Sequence, residues 1–379
     1  MPPRIVVVVV SCILGLLHAY IGSRILPDLP LPAIYKIVGA FWLLISFFLV
    51  PAGLLARTIK SQPLSDRLAW AGMLAMGFFS SLLVLTVFRD IVLLSAGLFG
   101  FSRMFLTDDT AVLVPFLALA VSLVGFINAR RVAGVRHVNV PIAKLPLALQ
   151  GFTIAQISDI HVGPTIKRNY LDAIVNKVNR LKPDMVAVTG DLVDGSVAQL
   201  RSHTAPLGNL SARHGAYFVT GNHEYYSNAN EWIAEVRRLG LTVLMNEHVL
   251  LRHDHVTLLI AGVSDYSAHH FDESHRSDPH AALKGAPSQI AVKVLLAHQP
   301  RSAEAAASAG FDLQLSGHTH GGQFFPWNLF VPLQQPFTAG LNRLRELWVY
   351  TSRGTGYWGP PKRLWAPSEI TLLKLVSAE

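Results

Sequence analysis

Five short polar blocks carry side chains that can bind metal ions. They are Ser158-Asp159-Ile160-His161, Gly190-Asp191-Leu192-Val193-Asp194, Gly221-Asn222-His223-Glu224, the lone His298, and Gly317-His318-Thr319-His320-Gly321-Gly322. Seven of these residues are candidate ligands, each offering a carboxylate, an amide oxygen or an imidazole: Asp159, His161, Asp191, Asn222, His298, His318 and His320. A donor set of that kind without thiolate suits Mn, Fe, Zn, Co or Ni. Two divalent ions sharing a carboxylate sit roughly 3.5–4 Å apart and clamp the attacking and leaving oxygens of a phosphoryl displacement. If Asp191 is shared, each ion has about four protein ligands, leaving positions for water and substrate oxygens. His223 lies beside a ligand without being needed as one, so it is placed to act as a cation or proton donor at the leaving oxygen. Asp194 and Glu224 read as loop supports that accept backbone hydrogen bonds. A single Gly-Asp or Gly-Asn pair marks an ordinary turn; five such blocks in order, each after an apolar run, point to a built site.

Those runs are the elements that must position the blocks. Expected strands are Phe152–Ile157, Met185–Thr189, Ala216–Thr220, Val256–Ala261, Ala291–Ala297, Asp312–Leu315, Leu347–Thr351 and Ile370–Leu375. Expected helices are Lys167–Leu181, Ala229–Leu239 and Ser302–Ala309, the first with Leu171, Ile174, Val175 and Val178 at the spacing of one buried face. Alternating strands and helices imply a layered α/β domain, in which sites form beyond the carboxyl ends of strands. Asp159 and His161, two apart in an extended segment, would point to one side.

Taken together, Asp159-x-His161, Gly190-Asp191-x-x-Asp194, Gly221-Asn222-His223-Glu224, His298 and Gly317-His318-x-His320 resemble the five-block signature of the calcineurin-like metallophosphoesterase superfamily. Ser316–Gln323 and the stretch from Arg353 to Arg363 resemble a bacterial subgroup of membrane-associated, YkuE- or YaeI-like phosphoesterases. The resemblance implies a mixed β-sandwich flanked by helices. It implies one ion held by Asp159, His161, Asp191 and His320, and a second held by Asp191, Asn222, His298 and His318. It also makes His223 the catalytic histidine.

The chain before Gly151 has another character. Four apolar runs, from Ile5 to about Gly22, Ile34 to Ala56, Leu68 to Phe88 and Thr110 to Ile127, each have about the length that crosses a bilayer. A fifth, Ile91–Leu106, holds Gly97, Gly100 and Arg103 and could extend the third helix, lie at the interface or re-enter. The expected organisation is a transmembrane anchor over 1–130, a linker over 131–150 with Pro141 and Pro146, and the phosphoesterase domain over 151–379. Residues 1–150 hold 12 Lys and Arg against 5 Asp and Glu, whereas residues 151–379 hold 20 against 19. Of the net charge of +8, +7 therefore belongs to the apolar half, which speaks against nucleic-acid binding by the soluble one. Alternate loops carry 8 and 4 Lys and Arg, placing both termini in the cytoplasm of a bacterial inner membrane. His18 is the one ionisable side chain expected inside a span. The single cysteine, Cys12, excludes internal disulfides, Cys-rich zinc modules and Fe–S clusters.

Three further segments carry candidate roles. Arg353 and Arg363 could bind substrate phosphate, while Tyr357 and Trp358 between them could meet lipid headgroups or form a structural turn. The His-rich stretch Ser264–Pro287 reads as a solvated loop, with a lid or accessory metal site as the alternative, and Asp265 at its start as a stabiliser. Pro326 through Gly340 has the mixed character of a lipid-facing rim. The reading is a membrane-anchored, dinuclear-metal phosphoesterase acting on a phosphoester, possible substrates being lipid or nucleotide-linked. The alternatives are a UDP-linked acyl-sugar diphosphatase of lipid A synthesis, a non-catalytic membrane sensor or scaffold, and a transporter.

Overall fold

The computed structural model describes residues 4–59, 61–99 and 103–378. The chain forms two compact units: residues 1–127 with 359–362, and residues 128–358 with 363–379.

The first unit is helical: α1 (Arg4–Ile25), α2 (Ala33–Leu55), α3 (Gln62–Leu98) and α4 (Arg103–Arg130), whose last turn counts with the second unit. Among the described residues, four helices are long and apolar enough to cross a membrane. The fifth apolar stretch is divided between two of them. Its first part, Ile91–Leu98, completes the 37-residue α3, and α4 has begun by Arg103; Gly100 lies outside the described residues, as does Lys60 in the loop before α3. At 1.5 Å per residue α3 is far longer than a hydrocarbon core of about 30 Å. Arg89 and Asp90 are thus helical residues, where the sequence reading put them in a loop. The buried Arg89 guanidinium pairs with Asp28 at 2.6 Å and donates to the carbonyls of Arg24 and Thr107 and to Thr110 Oγ1. His18 stacks on Phe79 with centroids 4.1 Å apart, and its ring nitrogens meet Leu14 O and Ser46 Oγ. That is the environment of a packed histidine.

The second unit holds β1 (Gly134–Ile142), β2 (Thr153–Ile157), α5 (Arg168–Arg180), β3 (Met185–Thr189), α6 (Val197–Thr204), β4 (Ala216–Val219), α7 (Asn222–Tyr226), α8 (Ala229–Arg238), β5 (Thr242–Val243), β6 (Glu247–His253), β7 (Val256–Gly262), α9 (Pro279–Ala282), β8 (Val292–Leu296), α10 (Ala303–Ala309), β9 (Leu313–Ser316), β10 (Gly340–Leu344), β11 (Leu347–Thr351) and β12 (Glu369–Ser377). One six-stranded sheet runs β1-β12-β2-β3-β4-β5 and the other β10-β11-β9-β8-β7-β6. Both are mixed: β2 through β5 and β7 through β9 are parallel neighbours, while β12 meets β2 and β6 meets β7 antiparallel.

Strand alternation builds the layers. In β3, Met185 and Ala187 enter the core between the sheets, while Val186 and Val188 face the layer of α5 and α8. In β7, Leu258 and Ile260 enter the same central core from the other sheet, while Leu259 and Ala261 face α10. The expected mixed β-sandwich with flanking helices is present. Some elements differ from the sequence reading: β5, β6, β10, α6, α7 and α9 were not expected. The stretch read as a linker contains β1, which pairs in parallel with β12 along its whole nine residues. It forms because the C-terminal strand supplies its hydrogen-bond partners, and no local signal announces that. Its Pro141 sits on an edge strand, the place a sheet tolerates proline.

Candidate metal centre

The five blocks converge where the parallel strands of the two sheets end. Asp159 and His161 follow β2, Asp191 follows β3, Asn222 opens α7 after β4, His298 follows β8, and His318 and His320 follow β9. Asp159 and His161 do not lie in extended chain. Five of the seven, Asp159, His161, Asp191, His318 and His320, have φ between 51° and 69°. Such left-handed backbone costs a non-glycine residue about 1 kcal/mol or more, and it is characteristic of sites where geometry is imposed by function. Two glycines allow the close approach. Gly190 has φ +84°, and a Cβ there would lie 2.7 Å from His298 Nδ1; at Gly317 a Cβ would collide with Ser158 Oγ and Asp159 Oδ2.

Two triads consist wholly of expected ligands, Asp159 with His161 and His320, and Asp191 with His298 and His318; a third group joins His161 to Asp194 and His223, and the donor atoms of each lie within 4.8 Å of one another. In the first, His161 Nε2 is 3.1 Å from His320 Nε2, and His320 Nε2 is 3.5 Å from Asp159 Oδ1. In the second, His298 Nε2 is 3.2 Å from Asp191 Oδ2 and 3.3 Å from His318 Nδ1. Asp191 Oδ2 also lies 3.9 Å from His161 Nε2, so its carboxylate joins the two triads. His298 Nδ1 donates to Thr189 O, which leaves Nε2 facing Asp191 as the nitrogen that would ligate an ion once deprotonated. The Asn222 side-chain oxygen is buried without a hydrogen-bond partner. An orphaned acceptor beside crowded imidazole nitrogens and two buried carboxylates is the environment a cation satisfies. The residues present therefore fit a pair of divalent ions.

The electrostatics of the ion-free protein are divided. Burial opposes charge on His298, but Asp191 and Asp159 outweigh it and hold the imidazole well above its ordinary pKa. Burial, reinforced by His298, pushes His318 down to about 3; burial, with His161 and Arg363, holds His320 well below the usual range. Burial raises the Asp159 carboxyl, whereas the histidines around Asp191 overcome burial and hold it low.

His223 stands at the edge of the pair. Its Nδ1 meets Asp194 Oδ1 at 2.5 Å and its Nε2 is 3.9 Å from Asp191 Oδ2. Burial disfavours its charge, yet Asp191 and Asp194 push its pKa up to about 9. Asp194 was expected to brace a loop through backbone bonds; its carboxylate instead faces both His161 and His223. Glu224 does brace a loop, accepting from the backbone N–H groups of Asp191, Leu192 and Gly221. Burial, aided by Asp191, raises its pKa to about 8.

The two arginines expected to meet substrate are otherwise engaged. Arg363 is 1% exposed, donates to Gly356 O, Ala366 O and His320 O, and lies 3.0 Å from His320 Nδ1, so it packs against a candidate ligand from behind. Arg353 pairs with Glu369 at 3.2 Å. Tyr357 is buried and its hydroxyl contacts Arg130 and Thr165 O. Trp358 and Tyr226, which sequence reasoning did not attach to the site, flank His223 with ring centroids 5.6 and 5.2 Å away. The His-rich loop folds into short turns: His275 meets Tyr225 Oη at 3.0 Å, and Phe271 packs on Tyr226. Asp265 accepts from Ser267 N and Gln299 at the loop's start.

Residues 152–322 match the model of the calcineurin-like phosphoesterase family. An uncharacterized metallophosphoesterase of Campylobacter jejuni is 33% identical over 380 residues, covering 97% of both chains. The chain belongs to the calcineurin-like metallophosphoesterases. Members of this family are phosphoester hydrolases. A Bos taurus relative named transmembrane protein with metallophosphoesterase domain is 43% identical over 280 residues, covering 70% of this chain and 63% of its own length. The uncharacterized metallophosphoesterase YkuE of Bacillus subtilis is 28% identical over 242 residues, covering 62% of this chain and 82% of its own. The chain thus spans less than two thirds of the vertebrate relatives it matches. With its four apolar helices, this metallophosphoesterase is a membrane protein.

Proposed function

We propose that the chain is a membrane-anchored hydrolase of phosphoesters that works with two divalent ions. The observation that carries this is the junction of two ligand triads at Asp191, beside the unpartnered oxygen of Asn222. Asp159, His161, Asp191 and His320 would hold one ion; Asp191, Asn222, His298 and His318 would hold the other. When bound, such ions supply Lewis-acid charge to a phosphoryl centre. The protein's part is to fix positions and move a proton. Asp194 orients His223 through Nδ1, which leaves Nε2 to donate to the departing oxygen. Glu224 locks the Asp191 turn to the start of α7. The nitrogen and oxygen donor set suits Mn, Fe, Zn, Co or Ni.

The substrate in this reading is a phosphoester carrying an apolar or nucleotide-linked group, because exposed Trp358 and Tyr226 stand beside the leaving-group histidine. The unequal loop charges support a bacterial inner-membrane location with the phosphoesterase domain in the cytoplasm; a reporter fused after Glu379 and active only on the outer face would overturn that placement. Family membership does not favour the sugar-nucleotide diphosphatase, sensor or transporter alternatives. Turnover of bis-p-nitrophenyl phosphate with added Mn²⁺ by the purified chain in detergent tests the reading. Activity that survives in both Asp191→Ala and Asn222→Ala would refute it.

A further inference from the structure

From Gly321 to Asn342 the chain contains no Asp, Glu, Lys, Arg or His. The middle of this segment is a loop of two single 3-10 turns, Trp327–Leu329 and Val331–Leu333. It exposes Phe325, Trp327, Leu329, Phe330 and Leu333, with Trp327 at 53% and Leu333 at 79%. A soluble surface does not ordinarily present five large apolar side chains within nine residues. The loop is not held loosely. At one end Gln323 and the Trp358 backbone exchange two hydrogen bonds, and Leu364 N donates to Gln323 O. At the other, Arg301 Nε donates to Gln334 O and Gln335 Nε2 donates to Gln299.

The chemistry of the occupant follows from what the loop is fastened to. The last turn of α4 lies within the same unit, and Arg130 donates to Tyr357 Oη and Thr165 O. Tyr357 is followed by Trp358, which is bonded to Gln323, two residues before Phe325. The exit of the fourth span, the half-exposed Trp358 and the apolar loop are therefore linked by a short chain of hydrogen bonds and peptide bonds. Trp365, 80% exposed, is also in that unit, two residues beyond Arg363, whose carbonyl accepts from Asn128 in the same last turn of α4. Where a helix leaves a bilayer, uncharged chain rich in exposed Trp and Phe matches the interfacial zone.

We propose that the 325–333 loop inserts into the interfacial layer of the membrane that carries this chain, as a second attachment beside the helices. It begins five residues after His320. The site edge at Trp358 and His223 then faces lipid, and a phosphoester with a hydrocarbon tail reaches it without entering water. That consequence rests on the proposed hydrolysis; the insertion does not.

The test uses the full chain in vesicles of phosphatidylcholine and phosphatidylglycerol. In a Cys12→Ser background, Leu333→Cys carries a fluorescent label, with Glu346→Cys, on the exposed β10–β11 turn, as control. Brominated lipids should quench the label at 333 several-fold more than the label at 346. Equal quenching at both positions overturns insertion, and so does formation of disulfide-linked dimers through position 333, which assigns the loop to a second copy. If Leu333→Cys does not fold, Leu329→Cys gives the same readout. Quenching is also measured in Asp191→Ala, where hydrolysis is absent, so failure of insertion and failure of the proposed activity are separable. Trp327→Ser with Phe330→Ser should leave bis-p-nitrophenyl phosphate turnover unchanged and should sharply reduce cleavage of a vesicle-borne phosphoester if the lipid-facing site edge is correct.

Discussion

Two buried polar residues, Arg89 in the helical unit and Asp191 in the phosphoesterase unit, are satisfied in different ways. In the helical unit, the buried Arg89 donates four hydrogen bonds, to a carboxylate oxygen of Asp28, two carbonyls and a hydroxyl. In the phosphoesterase unit, buried imidazoles face one another, carboxylates are shared among several histidines, and Asn222 presents an oxygen to nothing. A polar cluster that satisfies itself is part of the scaffold, whereas one that leaves acceptors crowded and unanswered is waiting for a ligand. Burial is nearly equal in the two places and does not separate them; satisfaction does.

The sharpest way to break this comparison is to remove the residue that joins the triads. Asp191→Ala is expected to lower kcat by about 10³-fold, the upper range for loss of one electrostatic stabiliser, and to lower bound metal measured by elemental analysis. Retention of full metal content would make the cluster as self-sufficient as that around Arg89. Next in size is Asp194→Asn, which leaves the triads but frees His223. A loss of about 10²-fold in kcat is expected. The alkaline limb of the pH profile should also move to lower pH, because His223 must be protonated to donate and Asp194 is one of the two carboxylates that raise its pKa to about 9. An unmoved limb would detach His223 from proton donation.

On the helical side, Arg89→Ala should cost about 2 kcal/mol of stability, read by thermal unfolding in detergent. It strands the Asp28 carboxylate, which is partly solvated and so falls below the range for a fully buried pair. Hydrolysis below the melting temperature should be unaffected. The smallest effect is at Glu235, a self-satisfied cluster in the phosphoesterase unit. It pairs with Arg201 and Arg238, and the Arg238 hydrogen bond chiefly holds its pKa at about 2. A depressed carboxylate stabilises fully above its unfolded value of about 4.3 and loses that contribution as pH falls towards about 2. Glu235→Gln should therefore cost about 1 kcal/mol at pH 7, allowing for the solvated arginine ends, and nothing at pH 2, as measured by denaturant titration.

The strand ends that build the site were legible because each polar block follows an apolar run, and a run of β3's kind, Met185–Thr189, can only be buried. The edge strands were not. The sequence of β6, Glu247–His253, alternates poorly, and β10 is half polar, because each has a neighbour on one side alone. The strand β1 depends on a partner more than 200 residues away. Arg363 was hidden in a different way: its carbonyl partners, Gly356 and Ala366, are near in sequence, and only the folded turn aims them at its guanidinium. The left-handed backbone at five ligands was invisible for another reason. Asp and His are tolerated there but not required, so no residue type announces it. Asp194 was read as a loop support; only the fold brings His161 and His223 to it.

The parallel pairing of β1 with β12 also bears on how the chain is made. The strand that follows the last membrane helix leaves the ribosome early, yet its hydrogen-bond partner is Glu369–Ser377. Throughout synthesis of the domain, β1 waits with an unpaired edge while the helices behind it are already inserted. The domain therefore closes only after β12 has been made. A pause before β12 emerges would expose that edge for longest, which is when a holding chaperone would matter most.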